Sequence, residues 1–65
     1  MSDSGAMGAA IDEAILANAQ PVQDYLDGKE AAMRFLVGQV MRLTRGRANP
    51  QITTSLLKDR LEGMR

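Results

Sequence analysis

Arg42, Arg45 and Arg47 stand close together in a 65-residue chain, and no aspartate or glutamate occurs between Glu30 and Asp59. Guanidinium groups stay charged at any physiological pH and carry five N–H donors in a fixed fork, so such a set suits gripping phosphate oxygens rather than moving protons. The chain is formally neutral, so its charge is segregated. Residues 1–30 hold six acids against Lys29, a net of −5, and residues 31–65 hold seven bases against Asp59 and Glu62, a net of +5. A local field of this kind attracts a polyanion even where net charge cannot.

Residue types exclude most other chemistry. With no cysteine there are no disulfides, and with no histidine either, the usual structural zinc site has no ligands. The serines and threonines lack a histidine to act as base, and no glycine-rich phosphate loop follows a strand, so this fragment alone is not expected to be an enzyme. Tyr25 and Phe35 are the only aromatic residues, and Phe35 is expected in the core. That leaves no platform for stacking single-stranded bases and favours a folded polyanion read by shape and backbone. No apolar run approaches the roughly 20 residues needed to cross a bilayer. Residues 1–8, rich in Ser, Gly and Ala, lack the basic start and apolar run of a secretory signal and are expected to be a disordered tail, linker remnant or expression scar.

The elements that must position the arginines are helices, since good helix formers abound and no alternating β-branched or aromatic run suggests a strand. One helical domain is expected over residues 9–65, as an all-α, right-angled small bundle of about four helices, one or two of them short. The first should span about Ala9 to Asn18, with Ile11, Ala14 and Ile15 at one-turn spacing. The second should take Pro21 as its first residue, carry Val22, Tyr25 and Leu26 at spacings of three and four, and end at Gly28. The third, about Lys29 to Thr44, should build the core with Ala32, Phe35, Leu36, Val40 and Leu43. Opposite them, Arg34, Gly38, Arg42 and Arg45 share a strip about 80° wide. Gly38 costs helix stability there, and its expected use is the close approach of a neighbouring helix, an RNA backbone or a partner surface. Gly46 should take the left-handed conformation that ends this helix. Asn49 is a favoured N-cap and Pro50 a favoured first residue for the fourth helix, on which Ile52, Leu56, Leu57, Leu61 and Met64 line one side. The amides that Asn49 organises would also be placed to face an anion.

The segments IDEAILAN at 11–18, VQDYLDGKEAAMRFLVGQVM at 22–41 and TRGRANPQ at 44–51 carry a family resemblance. Across roughly Ile11 to Leu61 the chain resembles the C-terminal tail domain (GatB/YqeY) found in the GatB component of the glutamyl-tRNA(Gln)/aspartyl-tRNA(Asn) amidotransferase. It departs from the family pattern at Gln20, before Pro21, and at Arg34, where a small residue is common; Arg34 is therefore not carried into a shared site. The resemblance implies a helical appendage of a larger cytoplasmic or organellar enzyme that amidates mischarged tRNA in protein biosynthesis. Catalysis, with ATP and magnesium, would lie in a preceding domain of the GatB component, and the A and C components of the amidotransferase would be partners. The appendage itself would need no cofactor or metal and would engage the outer corner of tRNA. The matching basic and polar positions are Lys29, Arg42, Arg45, Arg47, Asn49, Gln51 and Lys58. The competing reading is a structural or protein-interaction helical module whose Arg34, Gly38 and Arg42 strip docks on the acidic face of another protein of the complex.

Overall fold

Apolar residues recur at three- and four-residue spacing along most of the chain, and each such run closes into a helix. The structure, a computed structural model, describes residues 3–65, with side chains from Met7 onward. The elements are α1 (Asp3–Ala17), α2 (Ala19–Leu26), α3 (Ala31–Leu43) and α4 (Pro50–Glu62), with no strand among the described residues. α3 is the central element and packs on each of the other three helices. The result is the expected all-α small bundle.

α1 begins at Asp3, not at Ala9, so part of the segment expected to be a tail is helical; Met1 and Ser2 lie outside the described residues. One reason is visible at Met7, which packs against the core and extends the spacing of Ala10, Ile11 and Ala14 by a turn. Asn18 alone separates α1 from α2. Its Nδ2 donates to the Ala14 carbonyl at 2.8 Å, closing the end of α1, while its own carbonyl accepts from the Val22 amide at 3.1 Å. Pro21 is therefore the third residue of α2 and not the first. No hydrogen bond is lost, because the first four amides of a helix have no partner within it.

The core consists of Ala10, Ile11, Ala14, Val22, Leu36, Val40, Ala48, Leu57 and Leu61, with Met33, Val37 and Met41 packed along its edge. Phe35 and Leu43, expected inside, are 48% and 43% exposed. The reason lies in the local sequence: Phe35, Leu36 and Val37 put apolar groups on both flanks of the Leu36 row, and the neighbouring helices cover the Val37 flank. On α4 the buried row is Thr53, Leu57 and Leu61, and Ile52, Leu56 and Met64 are exposed. Gly38 makes no close approach to another helix among the described residues. A Cβ built there meets nothing within 4 Å, and the residue is exposed in mid-helix. Glycine at such a place costs about 1 kcal/mol relative to alanine.

Candidate nucleic-acid interface

α3 ends in two hydrogen bonds of the Schellman type. The Gly46 amide reaches back to the Met41 carbonyl at 2.7 Å and the Arg45 amide to the Arg42 carbonyl at 3.1 Å. The left-handed position of that motif belongs to Arg45 (φ 55°), and Gly46 follows it with φ 77°. The expectation that Gly46 alone would make the turn is thus corrected by one residue. α2 ends in the same motif, with Gly28 at the left-handed position (φ 106°) and bonds from Gly28 to Tyr25 and from Lys29 to Asp24. Against that example, Arg45 carries a Cβ penalty of about 1 kcal/mol that a glycine would avoid.

Thr44 fixes the corner beyond the helix end. Its hydroxyl donates to the Val40 carbonyl at 2.9 Å and accepts from the Ala48 amide at 3.2 Å. The Arg47 amide donates to the Thr44 carbonyl at 3.1 Å. Asn49 then caps α4, its Oδ1 accepting from the amides of Gln51 at 2.8 Å and Ile52 at 3.1 Å. The amides of residues 45–48, 51 and 52 are consequently all engaged within the chain. This corrects the idea that the start of α4 presents its amides to an anion. Any anion held here is held by side chains.

Those side chains surround a hollow. Met7 and Ala10 of α1 face the corner across a cavity of about 660 Å³, completed by Leu43, Thr44, Arg45, Arg47 and Ala48. Arg42, Arg45 and Arg47 are exposed, and among the described side chains none of the three forms an ion pair. Arg60 bonds instead to Asp12, tying α4 to α1, and Arg65 to Glu62. The basic corner and the acids of α1 and α2 thus remain separate on the described surface. Arg42 closes the last turn of α3, where the negative end of the helix dipole also favours a cation.

The remaining candidate residues are spread more widely. Asn49 and Gln51 adjoin the arginines and are exposed. Lys58 is on α4, about 12 Å of helix rise from Pro50, and Lys29 precedes α3, about 20 Å from the corner along that helix. The fold therefore gathers Arg42, Arg45, Arg47, Asn49 and Gln51, and leaves Lys29 at the far end. The sequence reading missed Thr44 as the corner's tie and Met7 and Ala10 as the facing wall. Thr44 is a polar residue four positions before a buried alanine, a faint signal; the contribution of α1 depends on packing and has none.

A profile of the GatB domain matches residues 1–61. The chain belongs to the GatB domain family. Among its relatives, the B component of the aspartyl/glutamyl-tRNA(Asn/Gln) amidotransferase from Moorella thermoacetica is 52% identical over 94% of this chain. The proteins of the same description from Methanocaldococcus jannaschii and Bordetella petrii are 55% identical over 92% and 51% identical over 97%. This GatB domain spans 13% of the length of each of those three relatives. No solved structure matches the chain. No helix is long and apolar enough to cross a membrane among the described residues.

Proposed function

We propose that this domain is the tRNA-binding appendage of the GatB component of a tRNA-dependent amidotransferase, and that it holds the outer corner of tRNA through the arginines at the α3–α4 turn. The observation that carries the proposal is the set of Arg42, Arg45 and Arg47, exposed and unpaired among the described side chains beside a hollow of the fold. The amides of the turn are already engaged, so the guanidinium groups are the donors that meet phosphate. Asn49 spends its Oδ1 on the cap. Its Nδ2, with the Gln51 side chain, contacts sugar or base edges. Lys58 and Lys29 add weaker contacts at increasing distance from the turn.

Amidation itself belongs to the remainder of the parent enzyme, in the bacterial cytoplasm or an organelle, together with the A and C components. The parent's amidation uses ATP and magnesium. We assign both to the preceding domain.

Filter binding of the chain to cognate and noncognate tRNA tests the proposal, repeated with Arg42, Arg45 and Arg47 changed to glutamine. The expected outcome is weaker binding and a log–log salt slope smaller by about 2 to 3, with the helical circular dichroism intact. Unchanged affinity in a folded variant overturns it. A second reading rests on Phe35, Ile52 and Leu56, apolar side chains left exposed on α3 and α4: these side chains meet another protein of the amidotransferase, and the arginine variant then keeps its tRNA affinity.

A further inference from the structure

Gly38 has no use within the fold. It is not among the residues with positive φ, it ends no helix, and open space lies beyond the position of its missing Cβ. Glycine weakens a helix, and inside one it is otherwise kept for close backbone approach. Here no group among the described residues makes that approach, which leaves the face open to one from elsewhere.

The surroundings of Gly38 define that group. Arg34 and Arg42 lie one turn to either side on the same strip, about 12 Å apart along the axis, and both are exposed. α3 contains no acid, and neither arginine has an ion-pair partner among the described side chains. The strip is therefore a bare stretch of helix bracketed by two cations, and Arg42 joins it to the arginine corner. A second copy of the chain would offer it only the separate carboxylates of α1 and α2. The carboxylates of an acidic protein surface project on flexible stems and reach arginines without needing a slot. A sugar–phosphate backbone carries its charge in the chain itself, so contact with both arginines requires the backbone to lie close to the helix between them.

We infer that an RNA sugar–phosphate strand crosses the outer face of α3 over Gly38, gripped by Arg34 on one side and Arg42 on the other. The inference rests on the proposed tRNA binding and extends that site along α3 away from the corner. Arg34 is in this view a contact particular to this chain, and Gly38 is the surface that lets the strand approach.

Gly38→Ala and Gly38→Leu test it, because the open space lets both fold. Gly38→Ala is expected to raise the melting temperature by a few degrees, on the order of 4 °C or more for a domain of this size. Gly38→Leu is expected to weaken binding of a tRNA(Gln) or tRNA(Asn) transcript about tenfold, a change of about 1.4 kcal/mol. Its salt slope should stay unchanged, because no charge is removed. Arg34→Gln should lower the slope by about one unit. If the Gly38 variants bind as the parent chain does while the triple arginine variant loses affinity, the inference falls and the proposed function stands. If none of these variants changes binding, both fall. A lower melting temperature for Gly38→Ala would show that the fold uses the glycine and would overturn the inference. So would a Gly38→Leu chain that keeps its tRNA affinity but no longer associates with the A or C component of the amidotransferase, since the face would then belong to a protein.

Discussion

Arg45 occupies at the end of α3 the backbone position that Gly28 occupies at the end of α2. The two turns have the same hydrogen-bond pattern, so the difference lies in the side chain and its cost. A non-glycine residue in the left-handed region is disfavoured, and such residues concentrate at functional sites. Arg45→Gly is therefore expected to raise stability by about 1 kcal/mol, read as a higher urea midpoint, while lowering tRNA affinity. A loss of stability would show that the arginine is there for the fold. Thr53 presents the opposite case, a wholly buried hydroxyl that finds no hydrogen-bond partner among the described residues. Thr53→Val removes the unpaired group at nearly constant shape, and a gain of about 1 kcal/mol is expected in thermal or urea unfolding. Neither feature can be read from residue order. TRGR offers a glycine for the left-handed position, yet the geometry starts one residue earlier, and the threonine lies in a row whose other members are leucines.

At the scale of elements, helix identity and ends were largely legible. Asn49 with Pro50 marks the start of α4, and Gly28 marks the end of α2, because caps and turns are decided by neighbouring residues. The misplaced boundaries have local causes as well: Asn18 makes a one-residue joint, its side chain closing α1 while its backbone carbonyl accepts from the Val22 amide, so α2 begins ahead of Pro21. The bond between α2 and α4 is a different matter. The Tyr25 hydroxyl donates to Glu62 Oε2 at 3.2 Å, across 37 residues of sequence. Burial first, then this hydrogen bond and the charge of the carboxylate, hold the phenol above its ordinary value of 10.0. The unfolded chain then releases its proton first. The contribution to stability is fully present below about pH 10 and is lost as pH rises through the folded value. The melting temperature is expected to decline above that pH, and less steeply in Tyr25→Phe. Equal declines in the two chains would remove Tyr25 as the cause.

For the whole molecule, one core joins four helices. The radius of gyration of 10.8 Å matches the value of about 10.7 Å for a compact chain of this length. So small a core leaves little reserve, about 3 to 5 kcal/mol. Leu36 is completely buried where α3 meets its neighbours, so Leu36→Ala, costing about 2 to 5 kcal/mol, is expected to abolish the cooperative melt. Phe35→Ala, one residue away and half exposed, should leave it nearly unchanged. Comparable losses in the two would mean that the buried flank of α3 is wrongly assigned. By itself the sequence determined the helices, the caps at Gly28 and Asn49 and the density of Arg42, Arg45 and Arg47, because hydrogen bonding at three- and four-residue spacing and charge proximity are local properties. Its GatB family motifs were also legible. Only the tertiary structure decided that the Val37 flank of α3 is covered while the Phe35 flank is open, that Met7 and Ala10 complete the hollow beside Arg45 and Arg47, and that nothing among the described residues approaches Gly38. Helical periodicity states which residues share a face, but the direction from which distant segments cover that face depends on the packing of all four helices together.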